Sequence, residues 1–71
     1  MRLRLESIIK LESGLHEVSV WIIEDFKMRK YVYLVPSEFQ VRKFNALYKR
    51  GKRVHGKALA LLNKHKIKKG E

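Results

Sequence analysis

Tyr31-Val32-Tyr33-Leu34-Val35-Pro36-Ser37-Glu38-Phe39-Gln40 is the stretch in which the chain changes from one kind of backbone to another. Its first five residues are β-branched, aromatic or aliphatic, a composition that suits a strand packed against a core. Pro36 cannot donate to a sheet ladder and ends that strand. Ser37, three residues ahead of Gln40, opens a capping box, in which the Ser hydroxyl and the Gln side chain satisfy backbone donors at a helix start. A helix is therefore predicted over residues 38–50. On its wheel Val41, Phe44, Leu47 and Tyr48 share one side, while Arg42, Lys43, Lys49 and Arg50 share the other.

Upstream of this junction the pattern is sheet-like. Leu3, Leu5, Ile9 and Leu11 stand on one parity against Arg2, Arg4, Glu6 and Lys10 on the other, the alternation of a half-buried strand. Glu12-Ser13-Gly14 supplies a turn. In the run that follows, Val18, Val20 and Ile22 share one face and Glu17, Ser19, Trp21 and Ile23 the other, so the first set is predicted to be buried and Trp21 to lie outside. A charged connection over residues 25–30 then leads back to Tyr31. Downstream, Gly51 suits a helix end, Lys52-Arg53 reads as a basic linker, and residues 58–66 read as a second helix with Ala58, Leu59, Leu61 and Leu62 inward.

The expected fold is one small α+β domain over residues 1–66: a three-stranded antiparallel β-meander followed by two helices packed on one face, in the order βββαα. Residues 67–71 read as a flexible basic tail. The expected core is Leu3, Leu5, Ile9, Val18, Val20, Ile22, Val32, Leu34, Val41, Phe44, Leu47, Leu59 and Leu62.

Charge is the second guide. The chain has 17 Lys and Arg against 7 Asp and Glu in 71 residues. Residues 1–35 are nearly balanced, whereas residues 36–71 carry eleven basic side chains against Glu38 and Glu71 alone, a net of +9. So segregated a positive field gathers polyanions by long-range attraction and by counterion release on contact. Nucleic acid, DNA or RNA, is the partner this composition implies, since a phosphate-reading surface serves both.

Other classes find little material. There is no cysteine, and His16, His55 and His65 lie at no recognised ligand spacing, so no metal and no cofactor are expected. No apolar run approaches the roughly 18 residues needed to cross a bilayer, so no membrane partner is expected and the chain reads as cytoplasmic. No carboxylate pair and no Ser with a recognisable base suggests catalysis, and the chain is read as not an enzyme, with no small-molecule substrate.

Three places could carry binding. The outer face of the first helix, continued through Lys52, Arg53 and Lys57, gives the main candidates: Arg42, Lys43, Lys49, Arg50, Lys52, Arg53 and Lys57, with Arg as a bidentate donor to phosphate and Lys as a point charge. Arg53-Val54-His55-Gly56-Lys57 could hold an anion at a helix start, or Gly56 could be an interhelix turn. By parity, the sheet face opposite the helices would display Arg2, Arg4, Lys10, Trp21, Tyr31 and Tyr33, with aromatics that could stack bases, fill the core or line a dimer interface.

The stretch from Tyr31 to Gly51, a strand ending at Pro36 and then a helix and a Gly, resembles the KTSC domains, small modules associated with RNA, although the Lys-Thr-Ser-Cys signature is absent. The order of three strands and then a helix resembles the arm-site DNA-binding domains of tyrosine recombinases. Neither likeness includes a diagnostic motif, and no family is assigned. The function expected is a small non-enzymatic nucleic-acid-binding protein using its basic helical surface. The alternatives are a protein-interaction or homodimerising module that uses the apolar, aromatic sheet face, and a small ribonuclease-like toxin acting through His55 or His65.

Overall fold

Two turns and one irregularity set the sheet. In the computed structural model, which describes residues 1–69, β1 (Arg2–Lys10), β2 (His16–Glu24) and β3 (Lys27–Val35) form an antiparallel meander. The first turn closes when the Leu11 N–H donates to the Leu15 carbonyl at 2.8 Å, with Gly14 at φ 94 as its left-handed residue. The second is a two-residue hairpin loop of Asp25 and Phe26, with φ of 53 and 64, between paired Glu24 and Lys27. Positive φ at both positions is the hairpin geometry that matches strand twist, and the second position is normally Gly. Phe26 holds it at a steric cost with its ring wholly in solvent. Phe26→Gly is expected to raise stability by about 1 kcal/mol, read as an increase in the thermal unfolding midpoint.

This hairpin brings β3 four residues upstream of Tyr31, because the ladder continues through Met28 opposite Ile23 to Lys27 opposite Glu24. The residues expected as a charged connection are thus mostly strand. The same register places Tyr33 opposite Val18 and Tyr31 opposite Val20, on the helix-covered side. Tyr33 is 1% exposed, Val35 is equally buried, and Tyr31 packs against their cluster. Val32 and Leu34, expected in the helix-side core, belong to the opposite face. The sequence of β3 is apolar on both parities, so its alternation selects no face and the turn decides.

In β1 the register shifts between Leu5 and Ser7. Before the bulge Leu3 and Leu5 face the helices as expected. After it the parity is reversed, so Ile8 packs on the core, Ile9 is 49% exposed, and Lys10 lies on the helix-side parity.

The two helices follow the meander: α1 (Glu38–Lys49), then a single 3-10 turn (Lys52–Val54) and α2 (His55–Leu62). Ser37 Oγ accepts from the Phe39 N–H at 3.1 Å, which is the Ser half of the expected capping box. The Gln half is not made, since Gln40 Oε1 is buried without a partner among the described residues. Gly51, at φ 110, ends α1 as expected. The second helix starts three residues earlier than expected and ends four earlier, so Gly56 lies inside its first turn and not between helices.

Phe44, with no exposure, sits in the centre of the layer between helices and sheet, among Leu3, Val18, Val20, Tyr33, Val35, Val41, Ala58 and Leu62. The Tyr33 hydroxyl donates to Asn63 Oδ1 at 3.0 Å just beyond α2. Burial, with Tyr31 nearby, raises its phenol above 10.0 and keeps it neutral. After α2 the chain returns as β4 (Lys66–Lys69), antiparallel to β3, in a sheet of order β1-β2-β3-β4. This strand was not anticipated: residues 67–69 of the expected tail lie in it, and residues 70–71 lie outside the described residues. Four residues, three of them Lys, have too little alternation to announce a strand, and their backbone pairing covers the edge of β3.

Candidate nucleic-acid interface

The helical surface is built by spacing alone. With Val41, Phe44, Leu47 and Tyr48 turned inward, Arg42 and Lys49 stand seven residues apart on one outer row, and Lys43 and Arg50 on the next. All four are exposed, as are Lys52 and Arg53 in the 3-10 turn and Lys57 in α2. The helix itself is about 18 Å long at 1.5 Å per residue. Glu38 is the one acid on it, and its carboxylate accepts from Arg42 Nη2 at 2.9 Å across one turn. Such an exposed pair is worth little and can open for a phosphate. The rest of the stripe has no salt bridge among the described residues.

The open face of the sheet differs from the expected one. Tyr31 and Tyr33 are absent from it, being turned to the core side by the β2–β3 register, and neither can stack bases there. Trp21 is present, half-buried, with Nε1 donating to Glu6 Oε1 at 2.6 Å. Lys30 Nζ reaches the other oxygen of the same carboxylate at 2.8 Å. The β1 bulge thus aims Glu6 across three strands, and the indole shares its surroundings with a carboxylate.

Hydrogen bonds from Lys30 and then Trp21 hold the Glu6 carboxyl below its ordinary value of 4.5. A depressed carboxylate adds stability above its unfolded value and loses it as pH falls through the folded one. Trp21 fluorescence is therefore expected to change in an acid titration with its midpoint below 4.5, and Glu6→Gln to abolish that transition.

Arg2 and Arg4 come together with Lys52, a residue some fifty positions away, around a cleft of 390 Å³ also lined by Leu3, Ile23, Tyr48 and His55. Edge-strand N–H groups organise it. The Leu3 N–H donates to His55 Nδ1 at 3.2 Å and the Leu5 N–H to the Tyr48 hydroxyl at 3.0 Å. The two rings stack at 5.1 Å between centroids, and Tyr48 stacks in turn on Phe44 at 6.1 Å. His55, 8% exposed, is thus fixed by the core and not free at a helix end. Nothing in the sequence signalled this grouping, because the two hydrogen bonds that join it to β1 link residues more than forty positions apart.

No family model, no curated protein and no solved structure matches this chain. Among the described residues no helix is long and apolar enough to cross a membrane, and no three His, Asp or Glu side chains form a group that could hold a metal ion.

Proposed function

We propose that this chain is a small, non-enzymatic nucleic-acid-binding protein that grips the phosphate backbone with the basic surface of α1, the 3-10 turn and the start of α2. The observation carrying this reading is the stripe of Arg42, Lys43, Lys49, Arg50, Lys52, Arg53 and Lys57, all exposed and, among the described residues, in salt-bridge contact with Glu38 alone. A phosphate track needs cations of one sign spaced along a rigid element, which this stripe supplies. Fluorescence anisotropy with labelled duplex DNA, single-stranded DNA and structured RNA tests it. Micromolar or tighter binding to at least one ligand near physiological salt is expected, and absence of binding to all three overturns the reading.

A second reading, a homodimerising interaction module, is favoured by the open sheet face. Ile9 and Met28 are 49% and 50% exposed there, beside half-buried Trp21, Ile23 and Leu34. Glu6, Arg4 and Lys30 give that face both signs of charge, which lets charges pair across a two-fold contact. This reading expects a dimer mass by light scattering and a quencher-protected Trp21. A monomer mass at high protein concentration removes it.

A further inference from the structure

We infer that the cleft between the edge of β1 and the start of α2 is a seat for one phosphomonoester, the terminal phosphate of a nucleic-acid strand. The seat stands on the geometry of the cleft; its occupant being a strand end rests on the function proposed above.

Two donors in the cleft lack acceptors. By accepting from Leu3 at Nδ1, the neutral His55 ring carries its proton on Nε2, and Nε2 has no partner among the described residues. Nε2 is also not one of the enclosed unpaired atoms, which are His16 Nδ1, Gln40 Oε1 and His65 Nε2. The ring is one of the side chains that line the cleft. Tyr48, accepting from Leu5, likewise keeps its own hydroxyl hydrogen without an acceptor among the described residues. Both donors are within reach of solvent, and an arriving oxyanion takes the place of water as their acceptor.

The charge around these donors is of one sign. Arg2, Arg4 and Lys52 line the cleft with no carboxylate among the lining residues. A phosphomonoester with about 1.5 to 2 negative charges near neutral pH balances such a site better than an internal diester with one. The volume of 390 Å³ lies within the range of small-ligand sites, about 300 to 1,000 Å³, so a sugar can follow the phosphate along Leu3 and Ile23.

The test compares one oligonucleotide in 5′-phosphorylated, 3′-phosphorylated and unphosphorylated forms by anisotropy on the full chain. In parallel, inorganic phosphate is titrated while amide and imidazole NMR signals are followed. One phosphorylated form is expected to bind about tenfold tighter than the unphosphorylated strand, and phosphate to shift the Leu3 and Leu5 amides and the His55 Nε2–H. The preference is expected to vanish in Arg2→Ala/Lys52→Ala, which touches only exposed positions. It should persist in Arg42→Gln/Lys49→Gln, which weakens all forms alike. Equal binding of the three forms without amide shifts overturns the seat. Amide shifts from phosphate with equal affinities overturn the strand-end occupant. Amide shifts with no oligonucleotide bound keep the seat and overturn the nucleic-acid function instead.

Discussion

Reversing Arg42, Lys49 and Arg50 to Glu together is expected to weaken nucleic-acid binding by about 100-fold or more, from three lost phosphate contacts at about 1 to 1.5 kcal/mol each before any repulsion is added. All three side chains project from the outer rows of α1 and none belongs to the core. The folded structure should therefore persist, with some thermal destabilisation, because reversal places Glu beside Glu38 one turn away and removes two cations from the negative end of the helix dipole. The Gln triple variant separates these effects. It should lose about 100-fold in affinity, the share of the three contacts without repulsion, with a circular dichroism spectrum and melting temperature close to the parent. Retained affinity in both variants would move the binding surface away from α1.

Phe44→Ala is expected to cost about 3 to 5 kcal/mol. At roughly 0.05 to 0.15 kcal/mol per residue a chain of 71 residues has only about 4 to 10 kcal/mol in total. The variant should thus be largely unfolded at 37 °C, or melt far below the parent, as read by thermal circular dichroism and urea titration. The effect reaches beyond the cavity it leaves, because the Phe44 ring supports Tyr48, which stacks on His55 and accepts from β1. Phe39→Ala, on the same helix but 68% exposed, is the control and should change stability little. Equal effects from the two substitutions would mean that the packing described here is wrong.

The order of the meander and helices was legible because its signals are local. Pro36 and Ser37 mark the strand-to-helix change, Gly14 and Gly51 sit where positive φ is needed, and the inward set of α1 follows from a 3.6-residue period. The faces of the outer strands were less legible for particular reasons. A bulge after Leu5 inverts the parity of β1, exchanging Ile9 for Ile8, and no residue type in Leu5-Glu6-Ser7 announces it. In β3 both parities are apolar, and the register that buries Tyr33 is fixed by a hairpin loop whose residues, Asp25 and Phe26, are not the usual pair for it.

Of the candidate site, the helical stripe could be read directly, since seven exposed cations follow from helix phase and linker position. The assembly of Arg2 and Arg4 with Lys52, His55 and Tyr48 could not, because it arises only when the edge of β1 docks against the start of α2. Trp21 was placed on the open face correctly, but its Glu6 partner depends on the same bulge that pattern reading missed.

The salt dependence of binding by the parent protein tests the central claim most directly. Anisotropy titrations of the preferred ligand at several salt concentrations should give a log–log slope of about −4 to −6 for duplex DNA, or about −3 to −5 for a single strand, as expected when five to seven stripe cations each displace a counterion. A slope near zero, with binding intact, would contradict a phosphate-reading helical surface and direct attention to the sheet face.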